Sequence, residues 1–123
     1  MGLFDTTQLG LEQAISGAAL RQRAIANNIA NANTAGYKRV DVDFHSALQD
    51  ALSGPDAKGA LEKGLGLSPQ TDNATASRAD GNNVDIDTEM ANLSQNALEY
   101  QSLVQVARAR LTMLQIAMNV RQA

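Results

Sequence analysis

The strongest pattern in the chain lies towards its C-terminal end. Met90, Leu93, Ala97, Tyr100, Val104, Ala107, Leu111, Leu114 and Met118 follow one another at alternating three- and four-residue spacings. Such a seam predicts a helix packed along another helix, here over residues 87–121. Beside it runs a second apolar stripe, Leu103, Val106, Met113, Ala117 and Val120, interrupted by Arg110. One partner helix covers one seam only, so two adjacent stripes require two neighbours. Asp85, Asp87 and Glu89 at the start, with Arg108, Arg110 and Arg121 towards the end, suit the helix dipole.

The other long pattern spans residues 5–32. Asp5 with Gln8 makes a capping-box-like start, and Phe4 with Leu9 a hydrophobic staple. Leu11, Ile15, Ala18, Gln22, Ile25 and Ile29 then recur at helical spacing, a single packing seam. Gly17, Ala18 and Ala19 lack bulk, which lets a neighbouring element approach closely. The Asn-rich run that ends in Gly36 stops the helix, because Asn and Gly tolerate the left-handed conformation of a helix C-terminus.

Residues 33–52 read as a turn and a short helix. Val40, Val42 and Phe44 alternate with charged residues as a short extended stretch. Phe44, Ala47, Leu48, Ala51 and Leu52 then fall on one helical face behind Asp43 as a cap. Residues 53–83 hold both prolines, five of the nine glycines and only Leu61, Leu65 and Leu67 as large apolar residues. That composition predicts an irregular connection.

Length sharpens the picture. A helix over 87–121 is on the order of 50 Å long at 1.5 Å per residue, whereas a compact chain of this size is roughly 35 Å across. The prediction is therefore an all-α single domain over residues 1–123, an elongated two-helix hairpin with an exposed apolar stripe. Such a stripe marks an assembly surface. The alternative is that the second stripe packs on the middle segment.

Composition removes several chemistries. The absence of cysteine excludes disulfides, thiolate metal sites and a cysteine nucleophile, and His45 is the single histidine. A net charge of −3 leaves no basic footprint for nucleic acid. The uncharged run Leu111–Val120 is broken by Thr112, Gln115 and Asn119 and is too short to span a bilayer. The N-terminal residues lack the basic and apolar segments of a cleavable secretory signal. Asp80, Asp85, Asp87 and Glu89 suggest calcium, but an EF-hand loop begun at Asp80 needs Gly where Asp85 stands and Glu where Ala91 stands. No nucleophile–base pair, phosphate loop or metal cluster is visible, so neither catalysis nor a cofactor is expected.

Two runs carry a resemblance. The first is Asn27-Asn28-Ile29-Ala30-Asn31-Ala32-Asn33-Thr34-Ala35-Gly36-Tyr37-Lys38-Arg39. The second is Asp80-Gly81-Asn82-Asn83-Val84-Asp85-Ile86-Asp87-Thr88-Glu89-Met90, followed by the long helix. Together they resemble the axial proteins of the bacterial flagellum, and in a chain this short, those of the proximal rod. Ala35 stands where that family commonly has proline, and Asn33 where it commonly has aspartate. Of the two sister proximal rod proteins, the Asp-Gly-Asn lead and the uninterrupted Gly-Tyr-Lys favour one over the other.

The resemblance implies a structural subunit of the drive shaft, made in the cytoplasm and exported by the flagellar type III apparatus without a cleavable signal. It implies a place in the basal body, in the periplasmic space beside the inner membrane. Its partners would be other copies of itself, other proximal and distal rod proteins, the proteins joining the membrane-embedded MS ring to the export gate, and the export apparatus. No nucleic acid and no small-molecule substrate are implied. Phe44 and Leu48 match the Phe-x-x-x-apolar pattern by which exported subunits dock at the gate, and packing alone would also explain them. Leu103, Val106, Met113, Ala117 and Val120 are then expected to face neighbouring subunits. A helical-hairpin adaptor or secreted effector with a discrete partner is the alternative.

Overall fold

The computed structural model describes residues 2–122, with side chains from residue 6 to residue 121. In chain order the elements are α1 (Gly2–Ala30), β1 (Val40–Asp41), α2 (Phe44–Ser53), α3 (Ala57–Lys63), β2 (Gln70–Thr71) and α4 (Ile86–Gln122). α1 has 29 residues and α4 has 37, about 43 and 55 Å at 1.5 Å per residue. They lie antiparallel: Asn28 bonds Glu89, while ten and six residues earlier Ala18 and Gln22 bond Asn96. α2 and α3 pack on α1 and on each other. β1 and β2 form one antiparallel pair, Val40 opposite Thr71 and Asp41 opposite Gln70.

Local signals explain most of the boundaries. Asp43 caps α2 by accepting from the Ser46 amide at 3.2 Å, and Asp56 caps α3 by accepting from the Gly59 amide at 3.0 Å. After Ala30 the chain continues in turns through Asn31 and Thr34 to Gly36, which takes φ +75°. A residue with a Cβ adopts that conformation at a cost. At the other end α1 begins at Gly2, so Asp5 falls inside the helix and not at its start. No breaker separates the two positions. The Phe4 half of the expected staple lies outside the described side chains.

The middle segment is more ordered than its composition predicts. α3 occupies residues 57–63, and its Leu61 is completely buried. One buried leucine in seven residues containing a glycine gives no periodic signal, which is why the helix is invisible in the sequence. The core itself is thin, with Ala14, Ala18, Ala24, Val42 and Phe44 at its centre.

The inward face of α4 differs from the predicted seam. Met90, Tyr100, Leu111, Leu114 and Met118 are exposed, Leu111 by 53%. Glu89 and Asn96 are fully buried instead, and Leu103 and Arg110 follow at the same seven-residue interval, half-buried. The helix is thus rotated by about one residue from the apolar reading, because two polar side chains with partners on α1 and at Arg39, just before β1, take central positions. Leu93, Ala97, Val104 and Ala107 flank them, half-buried. Leu103 packs against the core cluster, so it belongs to the inside of the molecule and not to the outer stripe.

α2 is seated by Gly17 of α1. A Cβ added there would stand 2.6 Å from both Cβ and Cγ of Phe44, which is itself buried. Neither side can give: one is a helix backbone and the other an enclosed ring. Gly17→Ala is expected to destabilise the chain by about 1–3 kcal/mol despite the better helix propensity of alanine. An unchanged or raised melting temperature by circular dichroism would show that α2 does not depend on this contact.

Candidate functional site

The two sequence runs that carry the family resemblance meet at the base of the helix pair. Each polar side chain there has a definite task. Asn28, on the last turns of α1, treats β1 as a strand would: its Nδ2 donates to the Val40 carbonyl at 2.7 Å and its Oδ1 accepts from the Val40 amide at 2.8 Å. The same Nδ2 lies 3.2 Å from Glu89 Oε2, and the Tyr37 hydroxyl donates to Oδ1 at 3.1 Å. Asn82 answers from the other run. Its Nδ2 donates to the carbonyls of Asn31, Ala32 and Thr34 at 2.9, 3.2 and 2.8 Å. These are carbonyls of the turns that follow α1, two of which also accept a backbone amide.

Glu89 and Arg39 link the halves. Glu89 is buried one turn into α4, and its Oε1 accepts from Arg39 Nε at 2.7 Å. Arg39 Nη1 reaches Asp72 at 2.8 Å, and Nη2 lies 3.7 Å from Asp41. Asp41 also accepts from Arg21 of α1 at 3.0 Å. Asn83 closes the circuit: its Oδ1 accepts from the Arg39 amide and its Nδ2 donates to the Asp72 carbonyl, both at 2.7 Å. Arg78 donates to the carbonyls of Val84 and Ala32.

The electrostatics follow. Burial pulls the Arg39 pKa down, but hydrogen bonds to Asp72 and Glu89 and the charges of Glu89 and Asp41 outweigh it, and the net shift is upward. The Thr75 hydroxyl, then Arg39, hold the Asp72 carboxyl far below the usual carboxylate range. Burial raises the Tyr37 phenol, and the Glu89 charge adds to it.

The remaining signature positions serve the same junction. Gly36 donates its amide to the Asp80 carbonyl at 2.8 Å, and Gly81, at φ +83°, brings its backbone against Gly36. The Asp80 carboxylate accepts from the Asn82 amide, and that of Asp85 from the Asp87 and Thr88 amides at the start of α4. Three of the acids that suggested calcium, Asp80, Asp85 and Glu89, are therefore engaged in a turn, a cap and an ion pair. Thr34 donates to Asn31 and Lys38 to Ser77. Val84 is buried and Ile29 half-buried, while Ala30, Asn33, Asp87 and Met90 face outward. Asp72, Arg78 and Asn96 lie outside the two runs and were not singled out from the sequence, whereas Arg39 and Asn83 stood in the runs without a role of their own. Arg39, Arg78, Asn83 and Asn96 each bond residues at least forty positions away, so no local pattern announces these roles.

The other two groups are placed elsewhere. Phe44 is buried against α1, and Leu48 packs half-buried on the same cluster. Val106, Met113, Ala117 and Val120 are exposed, Met113 by 62% and Val120 by 70%, and Ile116 joins them.

A helix pair whose polar residues brace its own base and whose apolar residues lie outside is an assembly subunit. The sequence profile of the family described as "Flagella basal body rod protein" matches residues 11–38. The flagellar basal body rod protein FlgB of Bacillus subtilis is 38% identical over 112 residues, covering 85% of this chain and 87% of that protein. FlgB of Borrelia hermsii is 34% identical, covering 81% and 86%, and FlgB of Aeromonas hydrophila 31%, covering 89% of each. The chain belongs to the FlgB family of flagellar basal body rod proteins. Nothing in these similarities favours the sister proximal rod protein FlgC.

The clasp makes a quantitative demand. Arg39→Met leaves the Glu89 carboxylate buried without its cation, and is expected to cost about 3–5 kcal/mol. Replacing both, Arg39→Met with Glu89→Leu, should recover much of that loss. Chemical denaturation of the single and double variants checks this. Additive losses would mean that the two side chains do not act as a pair.

Proposed function

We propose that the chain is a structural, non-catalytic subunit of the proximal rod, exported unfolded by the flagellar type III apparatus and folded on arrival beside the MS ring. The observation that carries this reading is the outer end of α4. Between Leu111 and Val120 there is no charged residue, and the large apolar side chains there are all exposed. They form two faces: Leu111, Leu114 and Met118 on one, Met113, Ile116, Ala117 and Val120 on the other. At about 25 cal/mol per Å² of apolar area covered, such an end is stabilised by insertion between neighbouring subunits. Copies of this chain and the other rod proteins are the neighbours that the reading supplies. Leu103 is withdrawn from that interface, since it packs inward. The signature residues then have a bracing role, holding the pair rigid while its free end transmits load.

Met113→Glu tests the interface. A charge placed in a closely packed contact leaves an unpaired ion to desolvate, so swimming should be lost while the protein is still found outside the cytoplasm. Normal swimming would overturn the assignment of this face.

The docking role of Phe44 and Leu48 belongs to the unfolded chain, because the fold encloses the Phe44 ring. Phe44→Ala with Leu48→Ala is expected to leave the subunit in the cytoplasm and out of the rod fraction. Fractionation with a subunit antibody reads this directly. Export at the wild-type level, followed by failed assembly or degradation, would reduce these residues to packing.

A further inference from the structure

A shallow groove runs along the outside of the helix pair, on the side away from α2. Its wider part, about 410 Å³, lies between Ala19, Gln22 and Ala26 of α1 and Ala97 and Tyr100 of α4. Tyr100 and Gln101 continue into a second part of about 240 Å³ past Val104. Ala19, Ala26 and Ala97 are among the groove's lining residues, and where they lie a helix laid there could approach both backbones closely. Two arginines border the groove: Arg23 lines the wider part and Arg108 the narrower. Gln22 is level with Asn96, so Arg23 is level with position 95, which puts the two backbone positions about 20 Å apart along α4 at 1.5 Å per residue.

These two arginines differ from others in the fold. Arg21, Arg39 and Arg78 all pair with carboxylates. Among the described residues, neither Arg23 nor Arg108 has an ion-pair or hydrogen-bond partner. Anything that covers the groove also desolvates the two guanidinium groups, and covering an unpaired cation is costly.

We propose that this groove receives a helix of a neighbouring, non-identical axial subunit. That helix is apolar along one stripe and carries two carboxylates, spaced to meet Arg23 and Arg108. The proposal rests on the rod reading above and adds a second contact, distinct from the apolar end of α4. A second copy's own end does not suit the groove: residues 111–120 carry no carboxylate, and Arg110 and Arg121 flank them. Cation would meet cation.

The test uses the full chain in native basal bodies, in a strain that depends on it for swimming. Gln101 lies in both parts of the groove and is replaced by the photocrosslinker p-benzoylphenylalanine; crosslinked peptides are then sequenced. The expected product is a helical segment of a different axial subunit bearing acidic residues. Arg23→Glu with Arg108→Glu should lower its yield at least tenfold, while Arg23→Lys with Arg108→Lys retains most of it. Both positions are exposed, and unchanged circular dichroism of the charge-reversed chain verifies folding. Crosslinking to residues 111–120 of a second copy, to a helix without carboxylates, or to nothing in an incorporated chain overturns the groove and leaves the rod reading standing. So does a yield indifferent to charge reversal. A chain missing from the basal bodies overturns both.

Discussion

The fold depends on a carboxylate that water does not reach. Removing Glu89 from solvent costs several kcal/mol by itself. The cost is offset only when Arg39 Nε and Asn28 Nδ2 are both in place. Arg39 can be there only because its own amide is held by Asn83 and its other nitrogens by Asp72 and Asp41. Asn28 in turn needs β1 beside it. The ion pair therefore converts five segments of chain into one condition: all are correctly placed, or the charge is stranded. That all-or-none character explains why so small an apolar core holds two long helices in a single register.

The interior and exterior divide the usual labour differently. Towards the base, the centre of the α1–α4 contact is polar: Asn28 against Glu89, then Asn96 donating to the Ala18 carbonyl and to Gln22 Oε1 at 2.9 and 2.8 Å. A buried asparagine at a central heptad position specifies register at some expense in stability. Towards the free end, apolar side chains lie in the open. Stability thus comes from two sources at two times: the base is closed by the chain itself, and the outer end by whatever covers it.

This division also sets what could be read from the sequence. The long helices, the Asp43 cap and the left-handed Gly36 were legible because their signals are local. The two signature runs were legible as motifs, but not as a single site, because Asn82 and the carbonyls it satisfies are about fifty residues apart. The seam on α4 was misread for a related reason. Apolar periodicity passes over Glu89 and Asn96, whose burial depends on partners supplied by α1 and by Arg39. α3 escaped because one buried leucine makes no period, and Asp5 misled because a cap residue within a helix looks the same in sequence as one at its start.

The clasp has a kinetic meaning as well as a structural one. Its bonds join positions 50 and 61 residues apart, and Asn96 reaches 78 residues back to Ala18. Closing such loops costs chain entropy before any bond compensates for it. For a chain drawn through a passage too narrow for folded structure, the geometry imposes a delay. Whichever end leads, the central polar contacts cannot form until most of the chain is through. An emerging α1 meets α2 and α3 first, but its bond from the Ala18 carbonyl waits for Asn96, and an emerging α4 waits in the same way for Ala18. The two long helices are therefore the last parts to close on each other, after most of the chain has passed.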